Sequence, residues 1–343
     1  MSKGLSLTYE PIRLNLKHAW TIARGSSEYK DNIVVQVEKD GITGYGEVAP
    51  NVRYGESPES TMEVLESAIP LFAKRDPWQF VDLGYTIQEL DSAQTAAKAA
   101  LDIALMDWVT KSLGVPMYRY LGLDKAKAPM TSFSIGIDTP EIIKQKVQEA
   151  EEYPLLKIKL GGDRDEEIIS TIRSVTDKPL FVDANEGWKD KQEALEKVQW
   201  LEPQGVQIIE QPMPADMLDE TGWLREKSKL PIIADESVKT GRDIPLLAKA
   251  FDGINIKLMK SGGLQEALRM IGLARAMGLK VMLGCMVETS IAISAAASIS
   301  PLVDYADLDG NLLIANDPYQ GVEVHDGRLM LNDRPGIGAV PRG

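Results

Sequence analysis

The stretch LLKIKLGG, residues 155–162, carries two lysines between leucine and isoleucine and stops at Gly161-Gly162. Lys157 and Lys159 stand two positions apart, so on a β-strand they share one face. Their apolar flanks mark a buried central strand, where two unpaired ammonium groups would be costly. Anions must therefore lie close by. Moving outward, the same kind of short apolar run recurs as SFSIGI, PLFVDA, QIIEQ, PIIADE, GINIKL, KVMLGC and YADLD, separated by helical stretches such as PEIIKQKVQEAEEY and LQEALRMIGLARAMG. This alternation gives eight strand-plus-helix units between about residues 130 and 320, the pattern of a (β/α)8-type barrel, whose strand C-termini gather at one face. An open doubly wound sheet would need a glycine-rich phosphate loop after its first strand, and none is present.

The N-terminal third has another grammar. Residues 5–16 alternate apolar and polar side chains as a half-buried strand does. NIVVQVEKDGITGYGEV, residues 32–48, reads as a hairpin turning at Asp40-Gly41. Its three glycines fall in a hairpin and not before a helix, which excludes a nucleotide loop. A helix is expected from Pro58, and a longer one from Ala93 to Leu113, ended by Gly114 and Pro116. We therefore expect an α+β capping domain over residues 1–124, a barrel over 125–319, and a tail, 320–343, that packs back on the cap.

The 343 residues, 44% hydrophobic, suffice for a large core. A net charge of −13 with no basic run argues against nucleic acid and against an anionic membrane surface. The N-terminus lacks the apolar core of a signal peptide, and the single cysteine, Cys285, suits a reducing compartment, so a cytoplasmic protein is expected. With only His18 and His325, acid-base work falls to lysine or carboxylate.

Asp183, Glu210 and Asp235 each end an apolar run in successive units. Three carboxylates brought together need a cation, and a hard oxygen set with water and substrate oxygens suits Mg2+ better than zinc. Lys257 ends the next strand, opposite Lys159. One lysine can remove a proton from carbon and the other return it from the opposite side, provided that burial and nearby positive charge lower the base's pKa.

With these residues in place, the chain resembles the muconate-lactonizing-enzyme subgroup of the enolase superfamily over essentially its whole length, and most of all its dipeptide epimerases, of the L-Ala-D/L-Glu type. The resemblance implies Lys159 of the KxK motif as acid-base catalyst with Lys157 supporting it, and Lys257, rather than Lys260, as the opposing lysine. It also implies one Mg2+ on Asp183, Glu210 and Asp235. Asp307 and Asp309, a DxD at the eighth strand, would hold the α-ammonium group of a dipeptide. Arg24, in the loop TIARGSSEY (21–29), would take a substrate side-chain carboxylate, with Tyr54 and Ser134 as further substrate contacts. N-succinylamino acid racemases and o-succinylbenzoate synthases share the machinery but not a free substrate ammonium group; a retired, non-catalytic dipeptide-binding protein and a Schiff-base aldolase are the readings from other classes. Glu288 is expected either to support the site residues from behind or, the favoured reading, to cap the helix starting at Ser290, and Cys285 to be packed as an apolar residue. A homo-oligomer is compatible with the fold, although no interface is legible.

Overall fold

The computed structural model describes residues 4–22 and 25–343. Strands β1 (Ser6–Ile22), β2 (Gly25–Lys39) and β3 (Ile42–Val48) form an antiparallel sheet in that order. The β2–β3 turn uses Asp40 at φ 55° and Gly41 at φ 76°, the left-handed pair that a two-residue hairpin needs. Helices α1 (Pro58–Lys74) and α3 (Thr95–Ser112) pack on this sheet, and α2 (Phe80–Gln88) packs on α3. Helix α1 opens with a capping box between Ser57 and Ser60. The glycines of β3 have a steric purpose: a Cβ on Gly44 would meet Ala104 O at 2.2 Å, and one on Gly46 would meet Ala100 O at 2.0 Å. They let β3 lie directly against α3, which is buried on all sides through Thr110.

After the short α4 (Met117–Tyr120) come the eight parallel strands: β4 (Phe133–Ile135), β5 (Leu156–Lys159), β6 (Leu180–Asp183), β7 (Val206–Glu210), β8 (Ile232–Ala234), β9 (Gly253–Lys257), β10 (Lys280–Gly284) and β11 (Tyr305–Asp307). They neighbour one another in chain order. The ring closes where Ser132 N donates to Ala306 O at 3.0 Å and Thr131 bridges Ala306. The outer helices are α5 (Pro140–Glu149), α6 (Asp165–Arg173), α7 (Lys191–Leu201), α8 (Leu218–Lys227), α9 (Ile244–Leu247), α10 (Leu258–Ser261) with α11 (Leu264–Ala276), and α12 (Ser290–Ile299).

One expectation needs correction. Strand β11 is followed by no helix among the described residues, so the barrel is seven strand-helix units plus a strand. Gly310, Asn311 and the run Asn316-Asp317-Pro318 break helical pattern. The segment pairs with β1 instead: Lys17 N donates to Leu313 O at 2.9 Å and Ala315 N to Asn15 O at 2.8 Å. This exit from the barrel therefore fastens the N-terminal sheet over the barrel mouth.

Inside the barrel, positions two apart on each strand build layers. Leu155, Phe181, Ile208, Ile233 and Met282 form a separate apolar cluster that seals the lower part of the barrel, with Tyr305 packed against it. The charged residues lie two positions farther along their strands. The tail forms β12 (Tyr319–Gln320) with β15 (Val340–Pro341), and the hairpin β13 (Glu323–His325) and β14 (Arg328–Met330). It touches the N-terminal helices where Ile337 N donates to Asp107 Oδ1 at 2.8 Å and Met117 N to Gly336 O at 2.7 Å.

Candidate active site

The strand register places Lys159 beside Asp183 and Asp183 beside Glu210. Asp235 follows β8 by one residue, and Lys257 ends β9. The rim of five consecutive strands thus reads Lys159, Asp183, Glu210, Asp235, Lys257, with an amine at each end of a carboxylate row. All three carboxylates are buried, and each offers an oxygen within 4.8 Å of the others.

Each carboxylate is held. Asp183 Oδ1 accepts Asn185 N at 2.9 Å, and its Oδ2 accepts Lys159 Nζ at 2.7 Å. Glu210 Oε1 accepts Asn255 Nδ2 at 2.8 Å. Asp235 Oδ2 accepts Lys257 Nζ at 2.8 Å, and Lys260 Nζ donates to its carbonyl oxygen at 2.6 Å. Lys157 is fully buried among three acids, its Nζ 2.7 Å from Glu210 Oε2, 2.8 Å from Asp307 Oδ2 and 3.2 Å from Asp183 Oδ2.

The electrostatics explain why this cluster suits a cation. Burial raises all three acids, but Lys159 and Lys157 pull Asp183 below the usual carboxylate range, and Lys257 and Lys260 hold Asp235 well below it. Glu210 goes the other way: burial and Asp183 push it up to about 8, with Lys157 opposing. Glu210 is thus the least readily ionised of the three, and a cation among them would favour its charged form. An all-oxygen set of this kind fits Mg2+. Burial lowers the Lys157 ammonium, yet Asp307, Glu210 and Asp183 outweigh it and leave its pKa well above the ordinary lysine value. For Lys257 too, Asp235 outweighs burial and Lys157, so its pKa lies above the ordinary value. The lowered pKa expected for that lysine is thus not produced by the protein charges alone; a cation drawing on Asp235 would remove the group that raises it.

Local backbone supports the site. Asn185, Glu186 and Gln211, next to the first two acids, have φ of 46°, 66° and 34°, strained values of the kind that gather at functional sites. Gln211 repays its conformation with four hydrogen bonds: Oε1 accepts Asp235 N at 2.9 Å and Ser237 N at 3.1 Å, while Nε2 donates to Met213 O and Ser237 Oγ. Gly161, at φ 104°, lies so near Ala184 O that a Cβ would sit 2.2 Å from it.

Above the acids opens a cavity of about 570 Å³, walled by the barrel mouth and the N-terminal sheet. Lys159, Lys257, Ser134, Asp307 and Asp309 line it. Asp307 is already paired with Lys157 and accepts Ser132 Oγ at 2.6 Å. Asp309 accepts Ser134 N at 2.6 Å and makes no ion pair with a described residue; burial and Asp307 push it up to about 7. Tyr54 ends a short turn, its ring 5.2 Å from Lys239 Nζ, while its neighbours Asn51, Val52 and Arg53 form the cavity wall. Arg24 lies outside the described residues. Glu288 does not cap α12. Thr289 does, its hydroxyl accepting Ile291 N at 3.1 Å, while Glu288 turns back to accept Met286 N at 3.0 Å. Cys285 stands in the cavity wall, its thiol raised well above the ordinary value by burial and Asp309, so it is a poor nucleophile.

The sequence reading missed Asn255, Gln211 and Trp20. Asn255, two residues before Lys257, had a signal in the period-two face of GINIKL. Trp20 had none: it reaches the site from β1, with Lys159 Nζ 5.8 Å from its ring centroid.

Comparison with known proteins bears on this geometry. Residues 142–342 match the model described as enolase C-terminal domain-like, and residues 9–122 match the mandelate racemase / muconate lactonizing enzyme N-terminal domain. A relative from Bacteroides thetaiotaomicron, an L-Ala-D/L-Glu epimerase, is 50% identical across 98% of this chain and 88% of its own. One from Pedosphaera parvula, an L-Ala-D/L-amino acid epimerase, is 42% identical across 96% and 97%. Among solved structures, the dipeptide epimerase from Cytophaga hutchinsonii, complexed with Mg and the dipeptide D-Ala-L-Val, superposes with a TM-score of 0.93 at 28% identity, covering 100% of this chain and 96% of that one. The chain belongs to the mandelate racemase / muconate lactonizing enzyme family of the enolase superfamily.

Proposed function

We propose that this protein is a Mg2+-dependent dipeptide epimerase that inverts the α-carbon of the C-terminal residue, with L-Ala-D/L-Glu as its substrate pair, in the cytoplasm. The observation that carries this reading is the row Lys159, Asp183, Glu210, Asp235, Lys257, with an amine at each end of a buried carboxylate triad. Asp183, Glu210 and Asp235 would hold the cation, which when bound supplies positive charge to the substrate carboxylate and so acidifies the adjacent C–H.

Lys159 and Lys257 then stand on the two sides of that carbon. One amine takes the α-proton, leaving a planar carbanion, and the ammonium on the other side donates a proton to the opposite face. Lys157, buried with three acids and held protonated, keeps positive charge beneath the reacting groups. Asp309, assisted by Asp307, would receive the substrate α-ammonium group, and Ser134 would orient the peptide. Trp20 and the N-terminal sheet exclude water from Lys159. Arg24 and Tyr54 are proposed contacts to the second residue.

The test is incubation of L-Ala-L-Glu in deuterated water with Mg2+. The reading requires L-Ala-D-Glu to appear with deuterium at the inverted α-carbon. A mixture that keeps its α-proton and its chirality, across this dipeptide and a library of others, refutes it.

A further inference from the structure

The cavity walls carry four described cations: Lys30, Arg53, Lys159 and Lys257. Three are spoken for. Arg53 holds Glu186 through two hydrogen bonds of 2.9 Å, Lys159 pairs with Asp183 and Lys257 with Asp235. Lys30 makes no ion pair with a described residue, although it is half-buried, and burial draws its pKa below the ordinary lysine value with no carboxylate opposing. Its direction is fixed by the strand. Lys30 and Asn32 lie two apart on β2 and so share a face; Asn32 Nδ2 donates to Val287 O at 3.1 Å, in the loop beyond β10 that walls the cavity. Asp31, which also lines the cavity, is taken by Arg13 at 2.7 Å and gives Lys30 no charge partner.

The carboxylates of the cavity leave a matching remainder. Asp307 is paired with Lys157, and Glu56 caps α3 by accepting Ala96 N at 2.9 Å. Among the described residues, Asp309 is left without a cation. The site thus presents one uncompensated acid beside β11 and one uncompensated amine on the N-terminal sheet, an arrangement complementary to a ligand with an ammonium group at one end and a second carboxylate at the other.

We infer that Lys30 is a specificity residue of this site, its ammonium receiving the side-chain carboxylate of the substrate's C-terminal residue, so that an acidic residue is preferred there. This rests on the dipeptide reading above. A half-buried, unpaired ammonium also discriminates against a cationic side chain through like-charge repulsion.

The test compares L-Ala-L-Glu with its neutral isostere L-Ala-L-Gln, by calorimetric binding to the Mg2+-loaded protein and by α-proton exchange in deuterated water. The wild type is expected to favour the Glu dipeptide by about 10- to 100-fold. Lys30→Met should lower the Glu/Gln ratio by about 10-fold, chiefly through KM and Kd and with any share owed to Arg24 unchanged, Lys30→Arg should keep the preference, and Lys30→Glu should weaken L-Ala-L-Glu and strengthen L-Ala-L-Lys. A Lys30→Met variant that weakens both dipeptides equally, or keeps the Glu preference undiminished, overturns the assignment. So does a wild type that exchanges both dipeptides alike, an outcome that leaves the epimerase reading standing. Selective, Lys30-dependent binding of L-Ala-L-Glu without any exchange does the reverse: it upholds Lys30 and overturns the epimerase reading.

Discussion

Lys157 and Asp307 form a buried ion pair of 2.8 Å that joins the second barrel strand to the eighth, and this pairing makes the two aspartates of the DxD unequal. Asp307 is already neutralised, whereas Asp309, two residues on, has the Ser134 backbone N–H and hydroxyl and a distant thiol near its oxygens, and makes no ion pair with a described residue. Asp309→Asn should therefore raise KM for L-Ala-L-Glu by about 10- to 100-fold, the scale of a lost charge-assisted contact, and should narrow the gap between that dipeptide and its N-acetyl derivative. Asp307→Asn should instead lower the melting temperature, because it breaks a buried network around Lys157 and costs on the order of 3 kcal/mol. Steady-state kinetics and thermal melts on both variants separate the two roles; identical behaviour would contradict the division.

The same aspartate predicts a pH dependence of stability. Asp309 is pushed up to about 7 in the folded chain, chiefly by burial and then by Asp307, against about 3.9 unfolded. Between these values the native state binds more protons than the unfolded one, so this group makes stability fall as pH rises from about 4 to about 7. Asp309→Asn removes that decline. Melting temperatures of wild type and variant, with Mg2+ held constant, should lie closest near pH 4 and separate in favour of the variant toward pH 7; a gap that stays constant with pH would contradict this.

Lys159 and Lys257 stand at opposite ends of the triad, each on its own carboxylate, so removing one should leave half of the reaction. Lys159→Ala and Lys257→Ala should each lose epimerisation by at least about 10³-fold. Each should still exchange the α-proton of one substrate epimer, and the two should differ in which epimer that is. Nuclear magnetic resonance in deuterated water reads both quantities. Full activity in either variant would exclude the two-base scheme.

Asn255 braces Glu210, the middle acid of the proposed metal set, its amide donating to Glu210 Oε1 at 2.8 Å. Asn255→Leu leaves Glu210 without that orienting bond and should weaken Mg2+ binding by about 10- to 100-fold, the range for losing an outer partner of a ligand. Calorimetric titration with Mg2+ measures this independently of turnover. Chelation should abolish activity reversibly and leave the fold intact, because Lys157, Lys159, Lys257 and Lys260 already balance much of the triad's charge.

How much of this was legible in the sequence depended on where each partner sits along the chain. The barrel rim was readable because parallel strands repeat one grammar, an apolar run closed by a charge, and register then aligns Lys159, Asp183 and Glu210 automatically. Contacts across great sequence distance left no such trace. Nothing near Asp307 announced that Lys157 would claim it, nothing near Trp20 tied it to Lys159, and nothing near Lys30 placed it in the cavity wall. The missing eighth helix was obscured because LDGNLLIAN, residues 308–316, offers apolar residues at plausible spacing, and only its pairing with β1 shows what they serve.

Glu47 is the case in which sequence was silent and structure most explicit. It is wholly buried on β3, and it accepts Thr289 N at 2.9 Å, Thr289 Oγ at 2.6 Å, Ala292 N at 3.3 Å and Asn32 Nδ2 at 2.9 Å. It thereby caps the N-terminus of α12 from the other sheet, where the helix dipole favours an anion, and it braces the segment 285–289 that walls the cavity. Glu47→Ala would leave these donors buried without an acceptor and should destabilise the protein by about 3 kcal/mol, with Glu47→Gln intermediate. Because the wall moves with the helix start, both variants should raise KM more than they lower kcat. Denaturant unfolding and steady-state kinetics measure the two effects, and a Glu47→Ala protein as stable as wild type would remove this residue from the joint between sheet and barrel.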